Sequence, residues 1–566
     1  MSPIFPLKPL AAGFTGVLLI VLSACGSDPQ PLSQQANSES SQQVPPPVLP
    51  VPVQQKQMDE HRAIAAQRAY APMTVAPMPG LARPQPSMPA MEEREQYASL
   101  EDNGVQAVAQ NPVSTFSIDV DTGSYANVRR FLNGGRLPPA GAVRLEEMVN
   151  YFAYNYPAPR SNAPFGVTNE LAPTPWNPES HLLRIAVQAA EIGAEELPPA
   201  NLVFLVDVSG SMFRREGLPM VQATLRLLVD QLRPQDKVSL VTYAGSSQVV
   251  LEPTSGSDKA AIRRAIDGLE AGGSTAGESG IRLAYEQAEK GFIKKGINRI
   301  LLATDGDFNV GISDFDSLKK LAEEKRKTGV SLTTLGFGMG NYNEQLMEQL
   351  ADAGDGNYAY IDNLREARKV LVEQLASTLS VVARDVKIQV EFNPAQVSEY
   401  RLLGYENRAL KREDFSNDKV DAGEIGAGHR VTALYEIVPV GKRGWLEPLR
   451  YQPAVPQASA KQDELALLRL RWKAPEESRS RLLEIPVPAE VTAQASEDLR
   501  FAAAVAAFAQ QLKGGKHLGD FSLADTLKLA LDARGEDSFG LRAEFVELVK
   551  LAQSLGASRG LNTGMD

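Results

Sequence analysis

The sequence predicts a multidomain α/β and β protein: a doubly wound, Rossmann-like α/β domain flanked by or inserted into a β-rich domain, with a small C-terminal helical cap. Three observations predict it. Between residues 196 and 380, apolar strand-like runs alternate with amphipathic stretches, the pattern of crossover units that build a mostly parallel sheet. On the C-terminal side stand runs such as DVKIQVEF (385–392) and RVTALYEIV (430–438), whose side chains fit half-buried strands. From 491 to 560, small and apolar residues recur at helical spacing.

The stretch 201–212, NLVFLVDVSGSM, anchors the α/β block. Its apolar residues run without polar alternation, as in a strand covered on both faces, and end in Asp207-Val208-Ser209-Gly210-Ser211. Open α/β sheets hold their ligands at such strand ends. A carboxylate and two hydroxyls at i, i+2 and i+4 are hard oxygen donors suited to Mg2+ or Mn2+. Downstream, the pattern predicts a helix over 218–232 with Pro219 in its first turn, a strand at 237–242 with an antiparallel neighbour at 247–251, and helices at 258–269 and 277–290. A strand at 298–303, a helix at 314–328, a strand at 331–336, a helix at 342–352, a short strand at 357–361 and a helix to about 378 complete the unit.

Two more oxygen donors fall where the first three need them. Thr275 sits in the Gly-rich loop AGGST, whose backbone can turn tightly, and Asp305 follows the strand at 298–303. Asp207, Ser209, Ser211, Thr275 and Asp305 together resemble a metal ion-dependent adhesion site of the von Willebrand factor A type. Such a set holds Mg2+, with Mn2+ or Ca2+ as alternatives. Only two carboxylates offset the ion, so one coordination position is expected to stay open and electropositive. An exposed Asp or Glu of a partner protein would fill it. In sites of this kind Asp207 and Asp305 act through coordinated waters. Asp307 is expected to tune the mouth of the site or cap the next helix, and Tyr243 and Phe308 to supply an apolar surround.

Other chemistries are disfavoured. The net charge of −11 over 566 residues, with no basic tract interleaved with aromatics, argues against nucleic acid as a partner. The four histidines, His61, His181, His429 and His517, all fall outside the α/β block, which leaves a metal hydrolase without a ready base; Glu278 and Asp307 lack a nucleophile beside them. VDTG at 120–123 suggests an aspartic protease centred on Asp121, but no second such motif follows to share its proton, and a strand-to-turn reading is preferred. GFGMG at 336–340 lacks dinucleotide-loop spacing and reads as a tight turn. No enzymatic activity is expected.

The N-terminal segment 1–24 reads as a secretory signal: Lys8, then the apolar run 10–22, then LSAC ending at Cys25. The string resembles the bacterial lipobox, which implies lipidation at Cys25, the only cysteine, and a membrane anchor. Gly26 after the cysteine favours the outer membrane of a Gram-negative envelope. Residues 25–95 are rich in Pro, Gln, Ser and Met and read as a disordered tether. A leading β-rich domain with short helices is expected over 96–195, with helices near 124–132 and 143–152, a turn at Trp176-Asn177-Pro178 and a strand at 182–187. The block 196–380 follows, then a β-rich domain at 381–490 with strands at 385–392, 397–403, 430–438, 464–472 and 482–487. The acidic loop at 413–429 carries Asp414, Asn417, Asp418 and Asp421 without calcium-loop spacing and reads as a solvated turn, with His429 a structural neighbour. The cap, 491–560, should hold helices at 496–513, 522–533 and 540–554. The strands before 190 and after 385 are expected to close into one sandwich around the inserted block.

Several stretches, among them FSIDVDTGSYANVRRFLNGGRLPP, VRLEEMVNYFAYNYP, VFLVDVSGSM, ATDGDFNVG, RLLGYENR and NDKVDAGEIGAGHRVTALYEI, resemble bacterial von Willebrand factor A (VWA) domain lipoproteins of the YfbK type over about residues 95–555. The resemblance implies a lipidated scaffold carrying the A domain, with the five metal residues all present. The expected function is a divalent-cation-dependent protein-binding module of the cell envelope. The alternative is a non-enzymatic assembly factor of an envelope complex whose metal is mainly structural.

Overall fold

Strand-forming runs on both sides of the α/β block pair with each other, and this pairing defines the architecture. The computed structural model describes residues 95–562 apart from 99–100, 161–162, 275–276, 307–314, 341, 448, 451–460 and 476. The predicted signal segment, Cys25 and the tether up to residue 94 lie outside the described residues. The leading region holds β1 (Gln106–Ala107), β2 (Val113–Ser117), helices Gly123–Asn133 and Leu145–Asn150, β3 (Phe165–Thr174) and β4 (Asn177–Ala189). The α/β domain contributes β5 (Ala200–Asp207), β6 (Lys237–Tyr243), β7 (Ser247–Ser255), β8 (Ile297–Thr304), β9 (Ser331–Gly336) and β10 (Tyr358–Tyr360). After it come β11 (Val381–Phe392), β12 (Val397–Leu403), β13 (Ile425–Gly426), β14 (Arg430–Pro439), β15 (Glu464–Lys473) and β16 (Arg481–Pro488), then helices Glu497–Leu512, Leu523–Asp532 and Leu541–Asn562. Among the described residues no helix is long and apolar enough to cross a membrane.

Each flanking sheet draws strands from both ends of the chain. One runs β1-β12-β14-β4-β3; in the other, β2 pairs with β11 beside β13, β15 and β16. Their inner faces share one core, with Ile185, Val187, Val431 and Tyr435 on one side and Phe116, Ile388, Val390 and Leu468 on the other. The chain leaves this sandwich after β4 and re-enters it at β11, so the α/β domain is inserted into it. The run expected at 182–187 extends over 177–189 because β4 is covered on both faces. Leu183, Ile185 and Val187 face the sandwich, while Leu182 and Ala186 face the helices. The sequence reading places no strand at FGVTNELAPT. Its Pro173 obscures the pattern, and it is tolerated because β3 is an edge strand.

The helical layer is not purely C-terminal. Leading helices 123–133 and 145–150 share one core with the three late helices, through Tyr125, Met148, Tyr151 and Phe152 against Phe501, Phe508 and Phe545. Phe152 meets Phe501 and Phe545 edge-on at 5.0 and 5.7 Å.

The inserted domain has strand order β10-β9-β8-β5-β6-β7, parallel except for β7. Every residue of β5 is buried. Helix Leu218–Gln231 covers one face of the sheet, and helices Gly277–Gly291, Phe315–Arg326 and Glu344–Ala353 cover the other. The helix after β5 and the helix after β8 therefore lie on opposite faces, and the crevice at the carboxyl ends of β5 and β8 is the topological switch point. The single helix expected up to about 378 is instead broken into Leu364–Arg368, a π-helical turn Lys369–Glu373 and Leu375–Leu379. The break sends Val370 and Leu371 into the α/β core while Lys369 lies over the ring of Tyr151, 3.1 Å from its centre.

Arg129, buried on the helix 123–133, joins three parts of the molecule. Its guanidinium donates to Asp362 (Nε to Oδ2, 2.8 Å) and Glu366 (2.7 Å) of the inserted domain, to Glu544 (2.8 Å) of the late helices, and to the Tyr151 hydroxyl (2.9 Å). Removing one member of a buried ion network strands the others. Arg129→Met is therefore expected to lower the unfolding free energy by about 3–5 kcal/mol, read from urea denaturation. An unchanged midpoint would show that the network contributes nothing net.

Candidate metal centre at the switch point

The geometry at the end of β5 follows from its last residues. Asp207 is the final strand residue and is fully buried. Its Oδ1 accepts the Ser209 N–H at 2.9 Å, and its Oδ2 accepts the hydroxyls of Thr304 (2.8 Å) and Tyr243 (3.3 Å). The chain then turns through a short 3-10 helix, Gly210–Phe213, which sets the Ser209 and Ser211 hydroxyls 3.1 Å apart. Parallel pairing of β5 with β8 aligns Val206 with Ala303, so Thr304 and Asp305 come alongside Asp207. Gly306, at φ 80°, turns the chain away and donates its N–H to the Thr304 hydroxyl at 3.1 Å.

The Gly-rich loop is tied to the same place. Gly272 donates its N–H to the Val208 carbonyl at 2.7 Å, and Gly210 donates to the Gly273 carbonyl at 3.1 Å. The positive φ of Gly273 (89°) permits that turn. Thr275 itself, like Asp307 and Phe308, lies outside the described residues. Asp207, Ser209 and Ser211 thus stand together with the strand end that carries Asp305 and the loop that carries Thr275. Tyr243 differs from expectation: it is buried, but its hydroxyl donates to Asp207, so it acts as a polar partner as well as apolar surround.

The electrostatics fit a cation. Burial pushes the Asp207 carboxyl up to about 6, and the neighbouring Asp305 charge adds to the shift. Two neighbouring buried carboxylates with the Ser209 and Ser211 hydroxyls close by are hard-oxygen donors of the kind that suits Mg2+, whose charge would relieve the carboxylates' repulsion. Among the described residues no group of three or more His, Cys, Asp or Glu is disposed to hold an ion, so hydroxyl donors are needed to complete any site here. Outside the crevice, Phe213 is 80% exposed, beside the exposed Arg214 and Arg215.

Other residues singled out in the sequence have structural roles. Glu278 pairs with Arg282 at 2.8 Å. In the loop after β12, Asp418 accepts from Ser480 and Asp421 pairs with Arg326 at 2.6 Å, while His429 accepts the Gly426 N–H on Nδ1 at 3.1 Å. Gly338 and Gly340 take φ 73° and 95° in the turn after β9.

Asp119 and Asp121 belong to a buried acidic cluster that the sequence reading missed. Arg408 reaches Asp119 (3.3 Å), Asp121 (3.2 Å), Glu348 (3.5 Å) and Asp352 (2.7 Å), and Arg144 reaches Glu348 (3.5 Å) and Glu344 (3.9 Å). Glu146 and Glu147 are buried beside them, and Glu406 also faces Glu146. Nothing in the spacing of these residues announces the cluster, because they come from three regions of the chain. Burial pushes Glu146 and Glu344 each up to about 8 from an ordinary 4.5, reinforced by neighbouring carboxylates and opposed by Arg144. The folded state therefore holds protons that the unfolded chain releases. Stability is expected to fall as pH rises from about 4.5 to about 8, and Glu344→Gln to flatten that slope, read from urea midpoints across the range.

These features define a VWA-domain protein, and comparison with known proteins agrees. The sequence model of the von Willebrand factor type A domain matches residues 201–374, one described as von Willebrand factor matches 91–184, and one described as the C-terminal part of the uncharacterized protein YfbK matches 377–555. The uncharacterized protein YfbK of Escherichia coli (strain K12) is 52% identical over 468 residues, 81% of each chain. The chain belongs to the YfbK family. The uncharacterized protein sll0103 of Synechocystis sp. (strain ATCC 27184 / PCC 6803 / Kazusa) is 34% identical over 33% of this chain and 43% of its own. A solved von Willebrand factor type A structure from Catenulispora acidiphila is similar at 16% identity and a TM-score of 0.40, over 69% of this chain and 91% of its own.

Proposed function

We propose that this chain is a divalent-cation-dependent protein-binding module of the cell envelope. It coordinates an acidic side chain of a partner through Mg2+ held by Asp207, Ser209, Ser211, Thr275 and Asp305. The observation that carries this reading is the convergence of Asp207, Ser209 and Ser211 with the Asp305 strand end and the Gly-rich loop at the switch point. The ion would supply charge and an open coordination position. The chain would supply its orientation through Thr304 and Tyr243, which fix Asp207. The proposed chemistry is ligation without turnover. Cys25 as a lipid anchor to the outer membrane completes the proposal and rests on LSAC and Gly26.

One observation favours a second reading, an assembly factor whose metal is mainly structural: Asp207 and Asp305 are buried as neighbours, and a cation there would stabilise the fold by relieving their repulsion. Calorimetric Mg2+ titration and partner capture from envelope extract in Mg2+ or EDTA separate the two. Ser209→Ala and Asp207→Ala are expected to weaken Mg2+ binding by at least the roughly 10–100-fold that loss of a supporting group costs, and to abolish capture. Capture that survives Asp207→Ala in a folded protein would sink the adhesion reading and leave the structural one.

Phe213 supplies an apolar contact at the mouth, with Arg214 and Arg215 favouring an acidic approach. Phe213→Ala is expected to weaken partner binding by on the order of 1–2 kcal/mol with Mg2+ affinity unchanged. Equal loss of both would place Phe213 in the fold of the site instead.

A further inference from the structure

The turn that follows β9 lies against two of the three segments of the candidate metal site, and a short leading segment of the chain holds it there. Gly338 packs directly on Asp305: a Cβ at this glycine would lie 3.3 Å from the Asp305 Cβ. Gly306, next to Asp305, is in backbone contact with Asn343, whose nitrogen lies 2.8 Å from where a Gly306 Cβ would be. The same turn meets the loop that follows Ser211. Gly338 donates its N–H to the Glu216 carbonyl at 3.0 Å, and Arg214 donates Nη1–H to the Met339 carbonyl at 3.0 Å. The position of Asp305 relative to Ser209 and Ser211 therefore depends on where this turn sits.

On its other side the turn is gripped by residues 95–97. Gln96 adds a parallel bridge to Asn343: its N–H donates to the Tyr342 carbonyl at 2.8 Å, and its carbonyl accepts the Glu344 N–H at 3.1 Å. Glu95 is nearly buried, and its carboxylate takes four donors. Oε1 accepts the Gly340 N–H (2.7 Å) and Arg130 Nη1 (2.8 Å); Oε2 accepts Arg130 Nη2 (2.8 Å) and the Tyr97 hydroxyl (2.7 Å). Tyr97 in turn accepts from Asn127 Nδ2 at 2.9 Å, which roots the segment on the helix 123–133. Arg130 lies over the ring of Tyr360, whose hydroxyl donates to the Gly338 carbonyl, so the turn is braced from the sheet side as well.

We propose that Glu95 and Gln96 are positioning residues of the metal site, forming a strap that holds residues 336–340 and 342–343 and, through them, Asp305 and the 214–216 loop in register. The proposal rests on reading the switch point as a cation site. A bidentate arginine–carboxylate pair at low exposure, with a backbone amide as its further donor, is a rigid clamp. A single carboxylate thus couples the helix 123–133 to a loop that touches Asp305.

The test uses the full chain, with calorimetric Mg2+ titration and amide hydrogen exchange. Glu95→Ala is expected to weaken Mg2+ binding roughly tenfold. It should also speed exchange at Phe337, Gly338 and Gly340 in the absence of metal, while leaving β11, β14 and β15 of the sandwich protected as in the parent. Glu95→Gln retains one acceptor oxygen, which can take the Gly340 N–H, and should recover part of the affinity, an outcome that a general loss of stability would not produce. Parent protein that binds Mg2+, with Glu95→Ala binding as tightly, overturns the strap and leaves the metal site standing. Parent protein that binds no Mg2+ overturns the site and the strap together. Loss of sandwich protection in Glu95→Ala would assign the segment a merely structural role and also overturn the proposal.

Discussion

The insertion of one domain into another is sustained by a small number of buried charges, and Arg129 is the centre of them. A guanidinium out of water is costly unless every donor is used. Here its donors go to carboxylates on the inserted domain and on the late helices, and to a tyrosine between them. Burial alone would raise the Glu366 carboxyl, but Lys369 and Arg129 outweigh it and hold it below its ordinary value. Such a network has one good geometry, because each partner lies on a different element. The inserted domain is therefore set at a defined angle to the sandwich, although its covalent connections are only the two chain crossings after β4 and before β11.

That rigidity matters for the switch point. Asp207 and Asp305 are close because β5 and β8 are adjacent and parallel, and the helices that follow them leave on opposite faces. The fold opens the crevice, and the sequence lines it with oxygen. Repulsion between two carboxylates is tolerated there because Thr304, Tyr243 and the Ser209 amide hydrogen-bond to one of them. The acidic cluster around Arg408 and Arg144 follows a different rule. Its carboxyls outnumber its arginines, and burial together with mutual repulsion raises the Glu146 and Glu344 carboxyls well above their ordinary value, which favours their protonated forms. One cluster is arranged around an opening and hydroxyl donors, the other around arginines and protons.

Much of this was legible in the sequence because the signals are local. A continuous apolar run ending in DVSGS, followed by strand–helix repeats, specifies the α/β domain through periodicity alone. The placement of Asp207, Ser209, Ser211 and Asp305 was legible for the same reason, since they stand at or just after the ends of the apolar strands β5 and β8. What escaped was non-local or masked by composition. β3 carries Gly166 and Pro173, which weaken any strand signal and are accommodated only at a sheet edge. Tyr243 looked like an apolar neighbour because a strand tyrosine gives no hint of where its hydroxyl ends. The charge networks of Arg129 and Arg408 join residues more than two hundred positions apart, and no spacing rule reports such pairs.

The leading segment links these levels. Residues 95–97 look unremarkable in composition, yet they add a bridge to the inserted domain rather than to the sandwich from which the leading strands come. The same helix, 123–133, uses Arg129 to hold that domain at Asp362 and Arg130 to hold Glu95. Two consecutive arginines thus face two different jobs: one fixes how the domain is seated, the other fixes the turn behind Asp305. A helix places neighbouring side chains about 100° apart, so adjacent residues naturally serve separate surfaces. Seating the domain and bracing the turn behind Asp305 are in this way carried by one short helix, which ties that turn to the chain that precedes the sandwich.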